Sequence, residues 1–534
     1  MPTITLDKKD LLKQIGKKLS DEKLKDRISM LGTDLEQVTK KDITVEIFPN
    51  RPDMLSSEGF ARALSSFIGS KKGLRNYKIN KSNYKAKVDK KVGKVRPFAV
   101  AAVVKGISFD DVSIESLMQL QEKLHATHGR NRKKVSIGVY DLDKIKFPLI
   151  YTTKENSFRF TPLEMNKELT LKQILNIHPK GRDYKHLLED FKEYPIWIDA
   201  RGQVLSMPPI INSKETKVNK KTKNVFVDVT GLDKRTVEQA LNIVVTSLGD
   251  RGGKIYSVKV GNETYPNLKS NKIKLNINYL NKVLGLKLKD KDVKSLLFRM
   301  GLEYKKPFVY VPAYRIDIIS EIDLVEDIAI AYGYENFEPE IPNVATVGEE
   351  NSFEKFKDKI ANILVGFGLI ENNTYNLSSK EIQNKMMNSN ISLVELENAL
   401  SSEYNVLRAW MIPSLLEVLS KNKHYELPQK LFEIGTVFTP KEVSRLGVVL
   451  TDSRVDYTVI RQLLDALLSS LGLKYKVDEV KHDSFIAGRV ARLSVKGKKV
   501  AYLGEIHPSV LDNFGLENPV VAFELNLSDL YSVL

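Results

Sequence analysis

Not one of the 534 residues is cysteine. Disulfides, thiolate nucleophiles and cysteine-ligated zinc are thereby excluded, and every domain must be held chiefly by buried apolar side chains. The chain has the means. Apolar residues make up 42% and charged residues 28%, a globular balance, and at roughly 100–200 residues per domain the length points to about three to five domains. No apolar run approaches the ~18 residues of a membrane span, and the opening MPTITLDKKDLLKQIG has no signal-peptide core. The expectation is a soluble intracellular protein with no membrane partner. The formal charge of +16 favours a polyanionic partner, nucleic acid first. A lysine-rich surface that aids solubility accounts for it equally well.

Four regions follow from pattern and punctuation. Residues 1–92 open with a strand-like TITL and a lysine-rich helix. A turn at Asn50-Arg51-Pro52-Asp53 then leads into a helix with Phe60, Ala63, Leu64 and Phe67 on one face. In that turn Pro52 stiffens the chain, and Arg51 is placed to meet a phosphate or a carboxylate. The polar KINKSNYKAKVDKKVGKVRP reads as a linker. Residues 93–266 mix strands (FAVAAVVKG, NVFVDVTGLD) with helices (SIESLMQLQEKLHATHG, TVEQALNIVVTSLGDRGG). Residues 267–344 begin KIKLNINYLNKVLG and hold an acidic stretch; the prolines of PEIPNVATVG close the region. Residues 345–534 start with a helix over 352–367, in which Phe353, Phe356, Ile360, Ile363, Leu364 and Phe367 make one stripe, Ser352 is the N-cap and Gly368 the stop. KLFEIGTVF, RLGVVLT, VARLSV and VAYLGEI then predict an antiparallel sheet.

The acidic stretch, VPAYRIDIISEIDLVEDIAIAYGY, places Asp317, Asp323, Glu326 and Asp327 close together. On a helix starting after Ser320 the last three fall at i, i+3 and i+4 and share one arc. Like charges at those spacings repel by a few tenths of a kcal/mol per pair. An all-oxygen set suits Mg²⁺, although spacing alone favours a solvated acidic face or one opposed by Arg or Lys. In NVFVDVTGLD, Asp228 and Thr230 are two apart and face one side of a strand. Buried there, they need hydrogen bonds or a pocket to line; on an edge strand the same face would simply be wet. Ser213 lies in the neighbouring VLSMPPIINS. LHATHGRNRKKVSIGVYDLD gathers His125, His128, Arg130, Arg132, Lys133 and Lys134. An H-x-x-H pair without a third ligand is a weak zinc signal, and the basic cluster suits a phosphate or plain solvent. No G-x-x-x-x-G-K-[ST], strand-borne G-x-G-x-x-G or G-x-S-x-G motif is present.

Six segments, in order, resemble the β subunit of phenylalanyl-tRNA synthetase in its archaeal/eukaryotic form: PNRPDMLSSEGFARAL, LHATHGRNRKKVSIGVYDLD, VLSMPPIINS with FVDVTGLD, YRIDIISEIDLVEDIAIAYGYENF, LRAWMIPSLLEVLSKNKHYELPQKLFEIG and LGEIHPSVLDNFGLENPVVAFEL. The resemblance implies a multidomain α+β chain. Its parts would be mixed α/β N-terminal (B1-like, 1–92) and editing (B3/4, 93–266) domains, a winged-helix-like B5 domain with a Mg²⁺ site (267–344), and a class II synthetase-like antiparallel-sheet domain that makes no adenylate (345–534). Arg408 would lie on a motif-2-like strand.

It further implies a cytoplasmic α2β2 enzyme that joins phenylalanine to tRNA-Phe with ATP and Mg²⁺, the α subunit holding the synthetic site. The acidic residues match the family's Mg²⁺ pattern at Asp317, Asp323, Glu326 and Asp327, which reverses the preference from spacing. Ser213, Asp228 and Thr230 match polar positions of an editing pocket that hydrolyses Tyr-tRNA-Phe, with Asp228 receiving the tyrosine hydroxyl. Compared with the bacterial form, an N-terminal oligonucleotide-binding fold and a C-terminal anticodon-binding domain are expected to be missing. The rival expectations are a nucleic-acid-binding scaffold without chemistry and a free-standing misacylated-tRNA deacylase.

Overall fold

A computed structural model of the chain describes residues 2–534 and divides it into two compact units, 1–341 and 342–534. The first unit opens with a three-stranded antiparallel sheet in which Asp42–Glu46 lies between Thr3–Asp7 and Asp34–Val38. Helices Lys8–Ile15 and Ser57–Phe67 pack together in the same region. Arg51 finds a carboxylate: its guanidinium grips Asp53 at 2.8 and 3.0 Å, and both side chains are buried.

The large sheet of this unit runs Ile211–Asn212, Val204–Met207, Glu193–Ile198, Leu149–Glu155, Ile79–Val88, Lys254–Val260, Phe98–Lys105, Asn224–Gly231, Val135–Asp141. The segment expected to be a linker supplies Ile79–Val88, an interior strand pairing in parallel with Lys254–Val260 and Leu149–Glu155. Its lysines alternate with the half-buried positions, so it reads as polar while serving as a full member of the sheet. Helix Lys234–Asp250 covers Phe98–Lys105 and Asn224–Gly231, burying Val237, Leu241, Val244, Val245 and Leu248. Val225, Val227 and Val229 alternate with Phe226, Asp228 and Thr230, so the two sets project to opposite faces. That alternation carries Asp228 away from the apolar cover.

The remainder of the first unit is a strand, two helices, a hairpin and a helix: Asn271–Lys274, Ile277–Leu284, Asp290–Arg299, Glu303–Lys305, Phe308–Val311 and Glu321–Tyr332. The last helix begins after Ser320, as its sequence predicts.

In the second unit a seven-stranded sheet runs Ile370–Glu371, Gln429–Phe438, Glu442–Thr451, Val520–Asn526, Lys498–Ile506, Phe485–Val495, Lys476–Glu479. All neighbours are antiparallel except the short first pair. Helices Ser352–Gly366 and Tyr457–Ser470 share a core with Leu446, Val448, Phe523 and Leu525. The alternate residues Val449 and Ala522 belong to a separate core with helix Ile412–Lys421. Helix Ser352–Gly366 is capped by Asn351, whose side chain accepts from the Phe353 amide at 2.8 Å, one residue earlier than Ser352 as expected. Arg408 follows the short strand Val406–Leu407 and is buried against Glu433 at 2.6 Å.

Candidate functional site

Beside the strands Asn224–Gly231 and Val135–Asp141 lies a cavity of about 370 Å³. Asp228, only 1% exposed, forms part of its wall. The Tyr140 hydroxyl donates to Asp228 Oδ2 at 2.5 Å and stands 2.8 Å from Ser206 Oγ. A phenol has one proton. With it committed to the carboxylate, the Ser206 hydroxyl is left to donate to the phenol oxygen. Gly138 faces Asp228 in register. A Cβ there would stand 2.0 Å from the Tyr140 hydroxyl and 2.3 Å from Asp228 Oδ2, so only glycine leaves room for this hydrogen-bonded group.

Burial pushes the Asp228 carboxyl up to about 7; the Tyr140 hydrogen bond and the Arg96 charge oppose the shift. An unfolded aspartate ionises near ~3.9, so between those values the folded state holds the extra proton. Stability is therefore lost as pH rises through that window. Asp228→Asn removes this pH-dependent cost. Calorimetric melting of parent and variant is expected to give a Tm difference that shifts in favour of the variant from about pH 4 to about pH 7, the span of that window. A difference independent of pH would contradict the burial.

Ser213 is fully buried on the cavity wall, and its hydroxyl donates to Glu215. Thr230 does not line the cavity. Its Oγ1 accepts from Arg96 Nε at 3.0 Å, and Arg96 Nη2 also donates to the Thr230 carbonyl at 2.8 Å. The expected trio is thus a pair plus a support for Arg96. Sequence reasoning missed Gly138, Tyr140 and Ser206. The signal was the one-face alternation of Ser136, Gly138 and Tyr140 in VSIGVYD.

At another part of the wall Glu122 collects Arg132 at 2.7 Å and Lys180 at 3.4 Å. The neighbouring His125 and these cations hold its carboxyl well below the usual range. Arg132 also donates to the carbonyls of Pro209 and Ile210, so this member of the basic cluster is structural. Arg130 and Lys133 stay exposed. The two histidines are not a metal pair. Burial pushes the His125 ring down to about 4, and its Nε2 accepts from the Ile137 amide, whereas His128 Nε2 contacts the Thr236 carbonyl.

The four acidic residues do not converge. Arg315, 3% exposed, holds Asp317 through Nε and Nη2 at 2.9 and 2.8 Å, and its Nη2 reaches Asp327 at 2.8 Å. Asp323 turns back to accept from the amides of Ile319 and Ser320 at 2.8 and 2.7 Å. Glu326 accepts from the Tyr334 hydroxyl at 2.8 Å. Against the cost of burial, Arg315 holds the Asp317 carboxyl below its ordinary range, while burial pushes Asp327 up. Among the described residues no three His, Asp or Glu side chains gather to hold a metal ion. As arranged, this set does not fit a shared Mg²⁺. The Arg315 guanidinium lies between two of the four carboxylates, Asp317 and Asp327. No helix among the described residues is long and apolar enough to cross a membrane.

Four family models match in series. They are the Phe-tRNA synthetase beta subunit B1 domain at 1–70, the B3/4 domain at 81–247, the tRNA synthetase B5 domain at 273–334 and the phenylalanyl-tRNA synthetase beta chain CLM domain at 338–527. The cavity with Asp228 lies within the B3/4 match. The phenylalanine–tRNA ligase β subunit of Pyrococcus furiosus is 42% identical over 99% of this chain and 100% of its own length. That of Methanocaldococcus jannaschii is likewise 42% identical over 99% and 100%. Among solved structures, an N-terminal fragment of the Pyrococcus horikoshii phenylalanyl-tRNA synthetase β subunit is 40% identical. It covers 62% of this chain and 99% of its own, with a TM-score of 0.59. The chain belongs to the family of phenylalanine–tRNA ligase β subunits, components of an aminoacyl-tRNA ligase.

Proposed function

We propose that this chain pairs with an α subunit as α2β2 and that its own chemistry is the hydrolysis of tyrosine mistakenly attached to tRNA-Phe. The observation that carries the reading is Asp228, a buried carboxylate on the wall of a cavity large enough for an aminoacyl group. A phenylalanine pocket built to be apolar rejects an added hydroxyl only modestly, about 10²-fold in comparable sites. A second site that hydrogen-bonds the hydroxyl supplies what the first lacks. Asp228 Oδ2 is engaged by Tyr140; the carboxylate retains lone pairs for a substrate phenol. Apolar side chains such as Ile137 and Ile210 also line the cavity and suit the ring.

Among the described residues neither Ser213 nor Ser206 hydrogen-bonds a histidine, so water rather than a serine is taken as the nucleophile. Water adds to the ester carbonyl, the bond to the ribose oxygen breaks, and that oxygen leaves with a proton. Ser213 lines the cavity with its hydroxyl proton committed to the exposed Glu215. Thr230 positions Arg96 and does not touch substrate.

ATP and Mg²⁺ belong to the partner's synthetic site, and the 342–534 unit supports assembly without making adenylate. The strand–helix–helix–hairpin–helix order of 271–332 supports the winged-helix-like reading of that domain.

Co-expression with its α chain tests the assignment. Phenylalanylation of tRNA-Phe is expected only when both chains are present, together with stable co-purification. Charging by either chain alone, or failure of the two to associate, would refute it.

A further inference from the structure

The sheet of the 342–534 unit carries a second cavity, of about 430 Å³. It lies on the face opposite Leu446, Phe523 and Leu525, which pack against helices Ser352–Gly366 and Tyr457–Ser470. Strand register sets Arg492, Tyr502 and Glu524 side by side on three neighbouring strands. All three line the cavity, with Arg445, Trp410 and His482.

Two features of this lining are unresolved within the chain. The first is charge. Glu524 pairs with Arg445 at 2.7 Å and also accepts from the Met411 and Ile412 amides. Arg492 makes no ion pair among the described residues. Its guanidinium lies 3.8 Å over the Tyr502 ring, and burial lowers its pKa. The His482 ring is pushed down by burial, so it adds no charge at neutral pH. The lining therefore keeps one surplus positive charge.

The second feature is hydrogen bonding. The Nε atoms of both Arg445 and Arg492 are buried without a partner. An unmade bond of this kind costs about 1–3 kcal/mol, and native proteins rarely leave two in one place without a use.

The walls add a third observation. The His482 ring sits 5.7 Å from Trp410 and 5.2 Å from Tyr502. These aromatic edges and faces, with a stacked guanidinium, receive a flat π-system. The volume falls in the range of small-molecule sites, about 300–1,000 Å³.

We propose that this cavity binds a planar aromatic molecule bearing one negative charge, its ring among Trp410, His482 and Tyr502 and its anionic group on Arg492 and Arg445. The single surplus charge selects a monoanion such as an aromatic carboxylate over a dianion. The proposal does not depend on the editing reading, since the two cavities share no residue.

The test uses the full chain and two flat probes of the same ring, 2-naphthoate and its uncharged analogue 2-naphthalenemethanol, titrated by calorimetry and ligand-observed NMR. Saturable binding of naphthoate at one site is expected, with the alcohol at least about tenfold weaker, the loss of one charge-assisted hydrogen bond. Arg492→Gln is expected to bring naphthoate down to the level of the alcohol. Ser392→Trp, at the exposed rim, fills the cavity and removes both. It decides the matter if Arg492→Gln fails to fold. Absence of saturable binding, equal affinity for the two probes, or full binding by Ser392→Trp would each overturn the proposal.

Discussion

Arg315→Met is expected to lower the stability of the 1–341 unit by about 3–5 kcal/mol, the range found when one partner of a buried ion pair is removed. The guanidinium is the charge that Asp317 and Asp327 share. Without it two carboxylates stand buried beside each other, and each must ionise at a penalty or take up a proton. Denaturant unfolding of parent and variant reads the loss. A triple variant that adds Asp317→Asn and Asp327→Asn should recover much of it, because neutral amides carry no charge to be stranded. A loss below about 1 kcal/mol, typical of an exposed pair, would mean that Arg315 is not the countercharge. Millimolar Mg²⁺ added to the parent is expected to leave the melting temperature of this unit unchanged. A saturable rise would restore the cation reading over the guanidinium.

Sequence reasoning fixed this stretch as a helix with its acids along one arc, and the backbone obeys. It could not assign the side chains, because residues sharing an arc still choose different rotamers and depths. Asp327 is buried, Glu326 exposed, and Asp323 folds back onto the amides that precede its helix. Arg315 stood in the same quoted segment, two residues before Asp317. Its guanidinium is a counterion for both Asp317 and Asp327.

Long-range register explains the other misses. Ile79–Val88 was hidden because the strands flanking it are Lys254–Val260 and Leu149–Glu155, distant in sequence, and because its lysines mask the alternation. Thr230 looked like a pocket residue for the same reason. Its partner, Arg96, lies 134 residues away. Where the governing interaction is local, the reading is good. The Phe353, Phe356, Ile360 and Leu364 stripe predicts helix Ser352–Gly366, and the alternation in NVFVDVTGLD predicts strand Asn224–Gly231 with Asp228 and Thr230 on one face. The row of Arg492, Tyr502 and Glu524 needs three strands paired in the right register, and nothing local announces it.

Asp228→Ala in the assembled enzyme is expected to slow deacylation of Tyr-tRNA-Phe by about 10- to 100-fold. A hydrogen bond to a charged group contributes roughly 1.5–3 kcal/mol, and each 1.36 kcal/mol is tenfold in rate. The effect should concentrate in discrimination. Tyrosine loses its acceptor, whereas a phenylalanyl ester never used it, so the ratio of the two deacylation rates should fall by the same factor. Two further variants separate recognition from architecture. Tyr140→Phe keeps the ring against Phe226, 5.8 Å away, but frees Asp228 Oδ2, so tyrosine removal should persist. Thr230→Val disturbs the hold on Arg96 outside the cavity lining, so its cost should appear in thermal stability more than in the Tyr-to-Phe ratio. Deacylation of purified Tyr-tRNA-Phe at the parent rate by a folded Asp228→Ala enzyme would remove the carboxylate from recognition. A ratio shifted by Thr230→Val as strongly as by Asp228→Ala would show that the polar positions act through the fold and not through the tyrosine hydroxyl.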